Sequence, residues 1–317
     1  MTEKKIAFIF PGQGSQAIGM GYDFYEHFDV AKHLFNEAEE ILKSYNIGLK
    51  KLCFNGPEEE LIKTANAQPA ILTASIAMYT ILLNRGIKPD VLAGHSLGEY
   101  SALVAASSID FRDAVRLVRK RGEFMQKEIE ASVNSLSMVA MISFYKGKVY
   151  EMIQSASKFG ILEISNFNSP YQIVVSGENK PLQELVRLGE KDEEVSVVPL
   201  KVSAPFHSSL MGKAKKELAE YIEKIEIYYP KIPIICNYTA NYVNQIEEVK
   251  NALIEQMTHP IRWVEVIEKM QKDGVNCFIE VGPGNVLKKL TKQILPKSKV
   301  YNVSDLESLE KTVSKLI

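Results

Sequence analysis

The chain has 317 residues, of which 46% are hydrophobic, and its formal net charge at pH 7 is −1. This length allows one large domain or a large domain with a smaller companion, and the near-zero charge argues against binding to nucleic acid or to a membrane surface. Three cysteines without metal-site spacing, and no apolar run near the roughly 18 residues of a membrane helix, predict a cytoplasmic protein in a reducing compartment.

Hydrophobic periodicity predicts that strands alternate with helices in the two outer parts of the chain. The strands are expected over residues 4–10, 91–93, 232–236, 277–281 and 300–303. The main helices are expected over residues 30–42, 58–63, 68–83, 99–106, 111–126, 210–225, 249–257, 261–273 and 286–294, with a last helix up to residue 316. This alternation indicates an α/β fold with a parallel sheet.

The middle of the chain has a different order of elements. Strands are expected over residues 138–144, 161–166, 172–176 and 196–202, with helices over 149–158 and 181–190. The order βαββαβ is that of a ferredoxin-like unit. The sequence therefore predicts a small subdomain over residues 133–203, inserted between the two parts of a large domain at 1–132 and 204–317, with a cleft between them.

The clearest signal for chemistry lies where the second strand ends. Residues 94–98 read Gly-His-Ser-Leu-Gly and lead directly into a helix of small residues. Strand, Gly-X-Ser-X-Gly and helix form the nucleophile-elbow pattern, in which a sharp turn exposes the serine. Ser96 is therefore the candidate nucleophile, and a glycine-rich turn with a solvated serine is the alternative.

A second glycine-rich loop, Pro-Gly-Gln-Gly-Ser-Gln at residues 11–16, follows the first strand. Gly12, Gly14 and Ala17 superficially match a dinucleotide-binding fingerprint, but the second strand with an acidic end is missing, and no Gly-Lys-Ser/Thr of a P-loop follows. What remains is a tight loop with exposed backbone amides, which either lines a site or is an ordinary turn.

Arg121 lies on or beside the apolar stripe of the helix predicted over 111–126, because it follows Leu117 by four positions and precedes Met125 by four. A guanidinium in that position keeps its charge and needs an anion. Two interpretations stay open. Arg121 forms a structural salt bridge with a core carboxylate, or it binds the carboxylate of a substrate in a bidentate pair.

His207 is the histidine best placed to serve as a base for Ser96, because the chain returns to the large domain there. A histidine before a helix is often structural, but a serine that needs a base favours the catalytic interpretation. The other four histidines lie in polar or turn contexts or directly beside the serine: His27, His33, His259 and His95.

Several motifs occur together in a recognisable order. They are Pro-Gly-Gln-Gly-Ser-Gln at 11–16, Gly-His-Ser-Leu-Gly-Glu-Tyr at 94–100, Arg-Lys-Arg-Gly at 119–122 with Met125, Asn-Phe-Asn-Ser-Pro at 166–170, Pro-Phe-His at 205–207 and Glu-Val-Gly-Pro-Gly at 280–284. In this combination the chain resembles the malonyl-CoA:acyl carrier protein transacylase family over nearly its whole length. The resemblance implies an α/β-hydrolase-like large domain with a ferredoxin-like insert.

The resemblance also implies catalytic roles for particular residues. Ser96 would be the nucleophile and His207 its base, with the backbone carbonyl of Gln256 orienting His207. The backbone N–H groups of Gln13 and Leu97 would form the oxyanion hole.

The substrate contacts implied by the resemblance are made by three side chains. Arg121 would bind the malonyl carboxylate, and Phe206 and Met125 would also contact the substrate. Phe206 is similar to the malonyl-selecting type, since relatives that take methylmalonyl usually have a serine there. The chain departs from the family at residues 133–138, Val-Asn-Ser-Leu-Ser-Met, where a glycine-rich turn is common, so the resemblance does not fix the pose of the insert.

The implied activity is transfer of malonyl from malonyl-CoA to the phosphopantetheine thiol of an acyl carrier protein, through a malonyl-serine intermediate, in fatty-acid synthesis. No cofactor or metal is expected, and the protein is expected to be a monomer. Carrier proteins are usually acidic, so a basic rim is expected, with a solvated helix face as the alternative. The candidate rim consists of Lys213, Lys215, Lys216, Lys288, Lys289 and Lys292.

Other functions stay open. A stand-alone malonyl acyltransferase of a polyketide synthase would use the same chemistry with a different carrier protein. An acyl hydrolase would not need the acid-binding Arg121, and an inactive carrier-protein-binding module would not need both Ser96 and His207.

Overall fold

The computed structural model describes residues 4–130, 136–200 and 204–317. Eight strands lie within these residues: β1 Ile6–Phe10, β2 Val91–Gly94, β3 Leu136–Ile142, β4 Leu162–Ser169, β5 Gln172–Glu178, β6 Ser196–Pro199, β7 Cys277–Val281 and β8 Lys299–Val303. The α-helices of the same residues are α1 Tyr22–His27, α2 Asp29–Leu42, α3 Leu49–Asn55, α4 Glu58–Leu61, α5 Thr64–Asn84, α6 Gly98–Ala105, α7 Phe111–Glu130, α8 Lys146–Ala156, α9 Asn179–Gly189, α10 Gly212–Ile222, α11 Ile246–Glu255, α12 Trp263–Lys272, α13 Val286–Ile294 and α14 Leu306–Leu316.

The large domain is organised around a parallel sheet of strand order β2-β1-β7-β8, as the alternation of elements predicts. Successive side chains of a strand point to opposite faces of the sheet, and in β1 both faces are apolar. Phe8 and Phe10 belong to one hydrophobic cluster, whereas Ala7 and Ile9 belong to another. The sheet is therefore covered on both faces, and its strand ends are the places where polar side chains can meet.

The prediction of a full strand over residues 232–236 is wrong. This segment contributes only isolated bridges, among them a parallel one between Ile234 and Leu92. The Leu92 N–H donates to the Pro233 carbonyl at 2.9 Å, and the Ile235 N–H donates to the Leu92 carbonyl at 3.1 Å. Pro233 has no N–H of its own, so a longer ladder cannot form. The segment still lies along the edge of β2 and brings the next residues to the elbow.

The small subdomain has the predicted βαββαβ order, with an antiparallel sheet of strand order β4-β5-β3-β6. It has a hydrophobic cluster of its own, formed by β3, β4 and β5 with the two helices α8 and α9. The expected boundaries at residues 132/133 and 203/204, and the first half of the unusual 133–138 stretch, lie outside the described residues. The boundaries therefore stay a prediction.

Strand β4 also joins the small subdomain to the large domain. The Phe167 N–H donates to the Ile261 carbonyl, and the Ile261 N–H donates to the Ser165 carbonyl, each at 2.9 Å. These bonds form a parallel bridge beside the start of α12. They fix one wall of the cleft between the subdomains.

Helix α5 begins four residues before its predicted start, at Thr64, and contains Pro69. A proline leaves the carbonyl four positions earlier without its helical donor, and Arg119 of α7 donates to that carbonyl, Ala65 O, at 2.9 Å. Contrary to the expectation of no membrane-length segment, α5 is long and apolar enough to cross a membrane; no other described helix is. Its apolar window is 83% buried, as in the core helix of a soluble protein.

Candidate active site

Ser96 occupies a sharp turn between β2 and α6. Its φ angle is +52°, in the left-handed region that costs a non-glycine residue of order 1–3 kcal/mol. Glycine is required on both sides: a Cβ on Gly94 would lie 1.9 Å from the Gly98 carbonyl carbon, and one on Gly98 would lie 2.0 Å from the Phe10 carbonyl oxygen. The turn is held by Asn237, whose Oδ1 accepts the Ser96 N–H at 2.7 Å. This is the geometry of a nucleophile elbow.

Ser96, His207 and Gln256 form a hydrogen-bonded relay. The Ser96 Oγ lies 2.8 Å from the His207 Nε2, and the His207 Nδ1 lies 2.7 Å from the backbone carbonyl oxygen of Gln256. A carbonyl oxygen only accepts hydrogen bonds, so Nδ1 carries the proton and Nε2 is left to accept the serine hydroxyl. The relay can therefore deprotonate Ser96.

The imidazole of His207 is 3% exposed. Burial and the nearby charge of Arg121 lower the pKa of His207 to about 3, against the opposing effect of the Gln256 carbonyl. Both main causes disfavour the imidazolium. His207 is consequently neutral at physiological pH, the state that a general base requires.

The guanidinium of Arg121 reaches Ser96 from the core side. Its Nη2 donates to the Ser96 Oγ at 3.2 Å and to the Gln256 Oε1 at 3.0 Å, and its Nη1 donates to the Gln68 Oε1 at 2.9 Å. The side chain is 2% exposed. Within the described residues, no aspartate or glutamate forms an ion pair with it, so a structural salt bridge does not occupy this cation there.

Backbone donors for an oxyanion are available on two sides of the elbow. Gln13 lies in the loop after β1, and Leu97 follows Ser96 at the start of α6. Neither N–H donates a hydrogen bond to another described residue. The Gln13 side chain is held separately, since its Oε1 accepts the Thr64 hydroxyl at 2.7 Å. Free, oriented N–H groups beside a nucleophile can stabilise a developing negative charge.

A cleft of about 200 Å³ opens in front of Ser96. One wall comes from the Gln13 loop and α13, and the other from the small subdomain and Phe206. The wall residues are largely apolar and include Met138, Val174, Leu200, Leu287 and Leu290. A polar acyl group and a long flexible arm can both enter such a cleft.

Met125 has no hydrogen bond with Ser96, His207 or Arg121 among the described residues. It is buried and, like Arg121, lies outside the wall of the cleft, and its Sδ accepts the Gln68 amide at 3.5 Å. Gln68 in turn contacts Arg121. Met125 therefore packs behind the guanidinium's partner, and its direct contact with substrate stays a prediction.

Three residues of the site were not singled out in the sequence. Asn237 binds the elbow from the segment after the β2-edge bridge, Gln68 binds Arg121 from α5, and Glu99 lies 2% exposed in the first turn of α6. A polar or charged residue inside an otherwise apolar helix is a signal that could have found Gln68 and Glu99.

None of the remaining histidine side chains forms a hydrogen bond with the Ser96 hydroxyl. The His95 Nε2 lies 2.8 Å from the Asn168 Oδ1, across the cleft, and burial lowers the pKa of His95. His27 and His33 are exposed, and His259 is half-buried beside Glu255. In the part of the chain that the structure describes, no group of three His, Cys, Asp or Glu side chains could hold a metal ion.

The candidate rim lysines fall into two groups. Lys215 forms an ion pair with Glu255, Lys288 donates to Asn302, and Lys292 donates to backbone carbonyls. The other three are exposed and have no hydrogen bond or ion pair with another described residue: Lys213, Lys216 and Lys289. The second group can contact a partner without breaking an existing bond.

Comparison with known proteins gives a consistent result. The family described as acyl transferase domain matches residues 7–312. The chain is 43% identical over 313 residues to the malonyl CoA-acyl carrier protein transacylase of Bacillus subtilis (strain 168), which covers 98% of this chain and 97% of that protein.

Solved structures are similar over the same extent. The malonyl CoA-acyl carrier protein transacylase of Clostridium perfringens has a TM-score of 0.91 at 39% identity, covering 98% of this chain and 97% of that one. A malonyl-transacylase in complex with its type II PKS acyl-carrier protein has a TM-score of 0.92 at 37% identity, covering 98% and 100%. The chain belongs to the malonyl CoA-acyl carrier protein transacylase family of acyltransferases.

Proposed function

We propose that this protein transfers a malonyl group from malonyl-CoA to the phosphopantetheine thiol of an acyl carrier protein, through an ester on Ser96. The observation that carries the proposal is the buried guanidinium of Arg121, with its Nη2 3.2 Å from the Ser96 Oγ and without a carboxylate partner among the described residues. An acyl group that ends in a carboxylate supplies the missing anion at the distance where Ser96 attacks.

The first half-reaction loads the enzyme. The His207 Nε2 takes the hydroxyl proton of Ser96, and the Oγ forms a bond with the thioester carbonyl carbon of malonyl-CoA. The N–H groups of Gln13 and Leu97 stabilise the resulting oxyanion, and one such donor typically contributes about 3 kcal/mol. The carbon–sulfur bond then breaks, and the CoA sulfur leaves with the proton that His207 holds.

The second half-reaction reverses these steps with a different thiol. The phosphopantetheine thiol gives its proton to His207 and attacks the ester carbonyl. When the carbon–oxygen bond to Ser96 breaks, the serine oxygen recovers the proton from His207. The Gln256 carbonyl keeps the imidazole in the same tautomer throughout, because it accepts the Nδ1 proton at 2.7 Å.

Arg121 gives the reaction its preference for an acid. A malonyl carboxylate can form two parallel hydrogen bonds with the guanidinium, whereas an acetyl group leaves the buried charge without an anion. The ring of Phe206, at the wall of the cleft, limits the space for a branched acyl group. These two side chains together support malonyl as the acyl group.

The acyl-enzyme tests the proposal. Incubation with malonyl-CoA is expected to add one malonyl group by intact-protein mass spectrometry, and a carrier-protein thiol is expected to remove it. Ser96→Ala is expected to give no adduct, while Ser101→Ala on α6, the helix that follows the elbow, is the matched control. A malonyl adduct on Ser96→Ala would contradict the assignment of Ser96 as the nucleophile. Rapid loss of the ester to water without a carrier thiol would indicate a hydrolase, and no ester on the wild type would indicate a binding module.

The carrier protein of a polyketide synthase is the second candidate acceptor. The similarity to a malonyl-transacylase in complex with a type II PKS acyl-carrier protein supports it. Both acceptors present the same thiol, so relative transfer rates to a fatty-acid and a polyketide carrier protein distinguish them. The proposal further includes a cytoplasmic monomer that needs no cofactor. Sedimentation velocity tests the monomer, and activity that survives dialysis against a chelator tests the independence from a metal.

A further inference from the structure

Glu99 is a buried carboxyl beside the nucleophile that the relay of Ser96 and His207 does not use. It lies in the first turn of α6 and is 2% exposed. Its Oε2 accepts the backbone N–H of Asn237 and the side-chain amide of Gln256, each at 2.9 Å. Among the described residues it has no ion-pair partner. A carboxyl removed from water without a cation needs a compensating arrangement.

The Gln256 side chain connects Glu99 to Arg121. Its Nε2 donates to the Glu99 Oε2 and, at 3.1 Å, to the Ser96 carbonyl, while its Oε1 accepts the Arg121 Nη2 at 3.0 Å. An ionised carboxylate only accepts hydrogen bonds, so the amide nitrogen has to face it. Glu99 thereby turns the amide oxygen of Gln256 toward the guanidinium.

The second branch from Glu99 leads to the elbow. The Asn237 backbone N–H is held by Glu99, and the Asn237 side chain accepts the Ser96 N–H at 2.7 Å and donates to the Gly94 carbonyl at 2.6 Å. Both branches thus end on the backbone that keeps Ser96 at positive φ. One carboxyl group supports the elbow and the residue whose carbonyl orients His207.

We propose that Glu99 is a positioning residue for acyl transfer, which fixes Gln256 and Asn237 around Ser96 and supplies the counter-charge of Arg121 while no malonyl group is bound. The counter-charge part rests on the proposed malonyl transfer, whereas the positioning part does not. One amide separates the carboxylate from the guanidinium, so Glu99 balances the charge without occupying the Arg121 hydrogen bonds that malonyl needs.

The ionisation of Glu99 is expected to matter near neutral pH. Burial raises the pKa of Glu99 to about 7, opposed by hydrogen bonds from Asn237 and Gln256 and by the charge of Arg121. The other titratable groups around it are Arg121, Tyr100 and Cys236. Arginine keeps its proton, burial raises the pKa of Tyr100 to about 12, and burial raises that of Cys236. Glu99 is therefore ionised at pH 8 and largely protonated at pH 6.

Two variants separate position from charge. Glu99→Gln offers an oxygen to the same donors without a charge, and Glu99→Ala removes the acceptor. The first measurement is the rate at which phenylmethanesulfonyl fluoride sulfonylates Ser96, which depends on His207 and involves no malonyl group. The second is kcat and KM for malonyl-CoA and acetyl-CoA at pH 6 and pH 8.

Glu99→Ala is expected to slow sulfonylation and kcat at least tenfold, with little change in KM, because Gln256 and Asn237 lose their common acceptor. Glu99→Gln is expected to be sulfonylated within about threefold of the wild-type rate. Its malonyl-to-acetyl ratio of kcat/KM is expected to rise at least threefold at pH 8, where the wild type holds a competing anion, and to match the wild type at pH 6.

A sulfonylation rate for folded Glu99→Ala within twofold of the wild type would overturn the positioning role. An unchanged malonyl-to-acetyl ratio in Glu99→Gln at pH 8 would overturn the counter-charge. If Glu99→Ala does not fold, a sulfonylation rate of Glu99→Gln more than tenfold below the wild type would overturn the positioning role, since the glutamine oxygen keeps the acceptor for Gln256 and Asn237. Glu280→Gln neutralises another buried carboxyl, bound by the Leu287 and Lys288 N–H groups, and is the matched control. An equal rise in its ratio would also count against Glu99. If Ser96 is sulfonylated but never malonylated, the proposed function fails while Glu99→Ala still decides the positioning role.

Discussion

The His207 Nε2 lies 2.8 Å from the Ser96 Oγ, although 111 positions separate the two residues and the whole small subdomain lies between them in the chain. The two residues meet because the parallel sheet delivers Ser96 at the end of β2, and the chain re-enters the large domain at the same place. The insert therefore contributes a wall of the cleft without interrupting the relay.

Replacement of Arg121 is expected to remove the preference for malonyl. Arg121→Ala removes the charged partner of the malonyl carboxylate. This loss weakens binding of the transition state by about 2–5 kcal/mol, so kcat/KM for malonyl-CoA is expected to fall by roughly 30- to 4000-fold. Acetyl-CoA has no carboxylate, so its kcat/KM is expected to change far less. Arg116→Ala on the same helix removes a half-exposed arginine paired with Asp113 and is the control. The same malonyl-to-acetyl ratio in Arg121→Ala and wild type would contradict the assigned role.

The pH dependence of loading is expected to differ from that of an ordinary histidine. An imidazole with a pKa of about 6.5 would be only about 3% neutral at pH 5. Burial and the Arg121 charge lower the pKa of His207 to about 3, so the neutral base persists as pH falls. We expect kcat/KM for malonyl-pantetheine, which lacks the titrating phosphates of CoA, to have no acid limb near 6.5. An acid limb there that survives in Glu99→Gln would show that His207 titrates normally.

The elbow glycines are expected to be intolerant of a methyl group. Gly98→Ala places a Cβ 2.0 Å from the Phe10 carbonyl oxygen, and neither β1 nor the start of α6 can move far in the packed core. Such overpacking is expected to lower the free energy of unfolding by about 3 kcal/mol, measured by urea denaturation. Gly147→Ala in α8 meets open space, and it is expected to be neutral or slightly stabilising. Equal stability of the two variants would mean that the turn relaxes.

Phe206→Ser is expected to widen the acyl specificity. Phe206 lines the cleft next to His207, and removing the ring leaves room for the methyl branch of methylmalonyl. We expect the ratio of methylmalonyl-enzyme to malonyl-enzyme, measured by mass spectrometry in a mixed incubation, to rise at least several-fold. Phe144→Ser changes an exposed ring of the small subdomain and is expected to leave this ratio unchanged. No increase for Phe206→Ser would remove Phe206 from the specificity determinants.

Carrier-protein recognition is expected to depend on the unpaired lysines of the rim. Lys289→Glu reverses an exposed charge on α13, from which Val286, Leu287 and Leu290 line the cleft. We expect kcat/KM for the carrier protein to fall several-fold at low salt and the difference to shrink at high salt, because exposed charges act mainly through screened attraction. Lys51→Glu on α3, outside the rim, is the control. A Lys289→Glu variant with wild-type turnover at low salt would exclude this lysine from the interface.

Much of the fold could be predicted from patterns among residues that are close in the sequence. Hydrophobic periodicity that alternates between strand and helix predicted the parallel sheet and the βαββαβ insert. The glycines around Ser96 predicted the elbow. Both signals depend only on neighbouring residues. Arg121 was found because a charge on an apolar stripe breaks the local pattern. The short helices α1 and α3 had no such signal. They are held by aromatic contacts among Tyr22, Tyr25, Phe35 and Phe54, which only the folded chain brings together.

The tertiary structure alone decided how the site is supported. The bonds from Glu99 to Asn237 and Gln256 span 138 and 157 positions, and no periodicity links segments so far apart. The same holds for Met125, which packs against Gln68 behind the guanidinium and not at the cleft. The sequence by itself predicted which residues carry the chemistry, because the proposed nucleophile, base and cation have recognisable local settings. Only the folded chain determined which polar groups connect these residues, since a buried hydrogen-bond network depends on the approach of distant backbones.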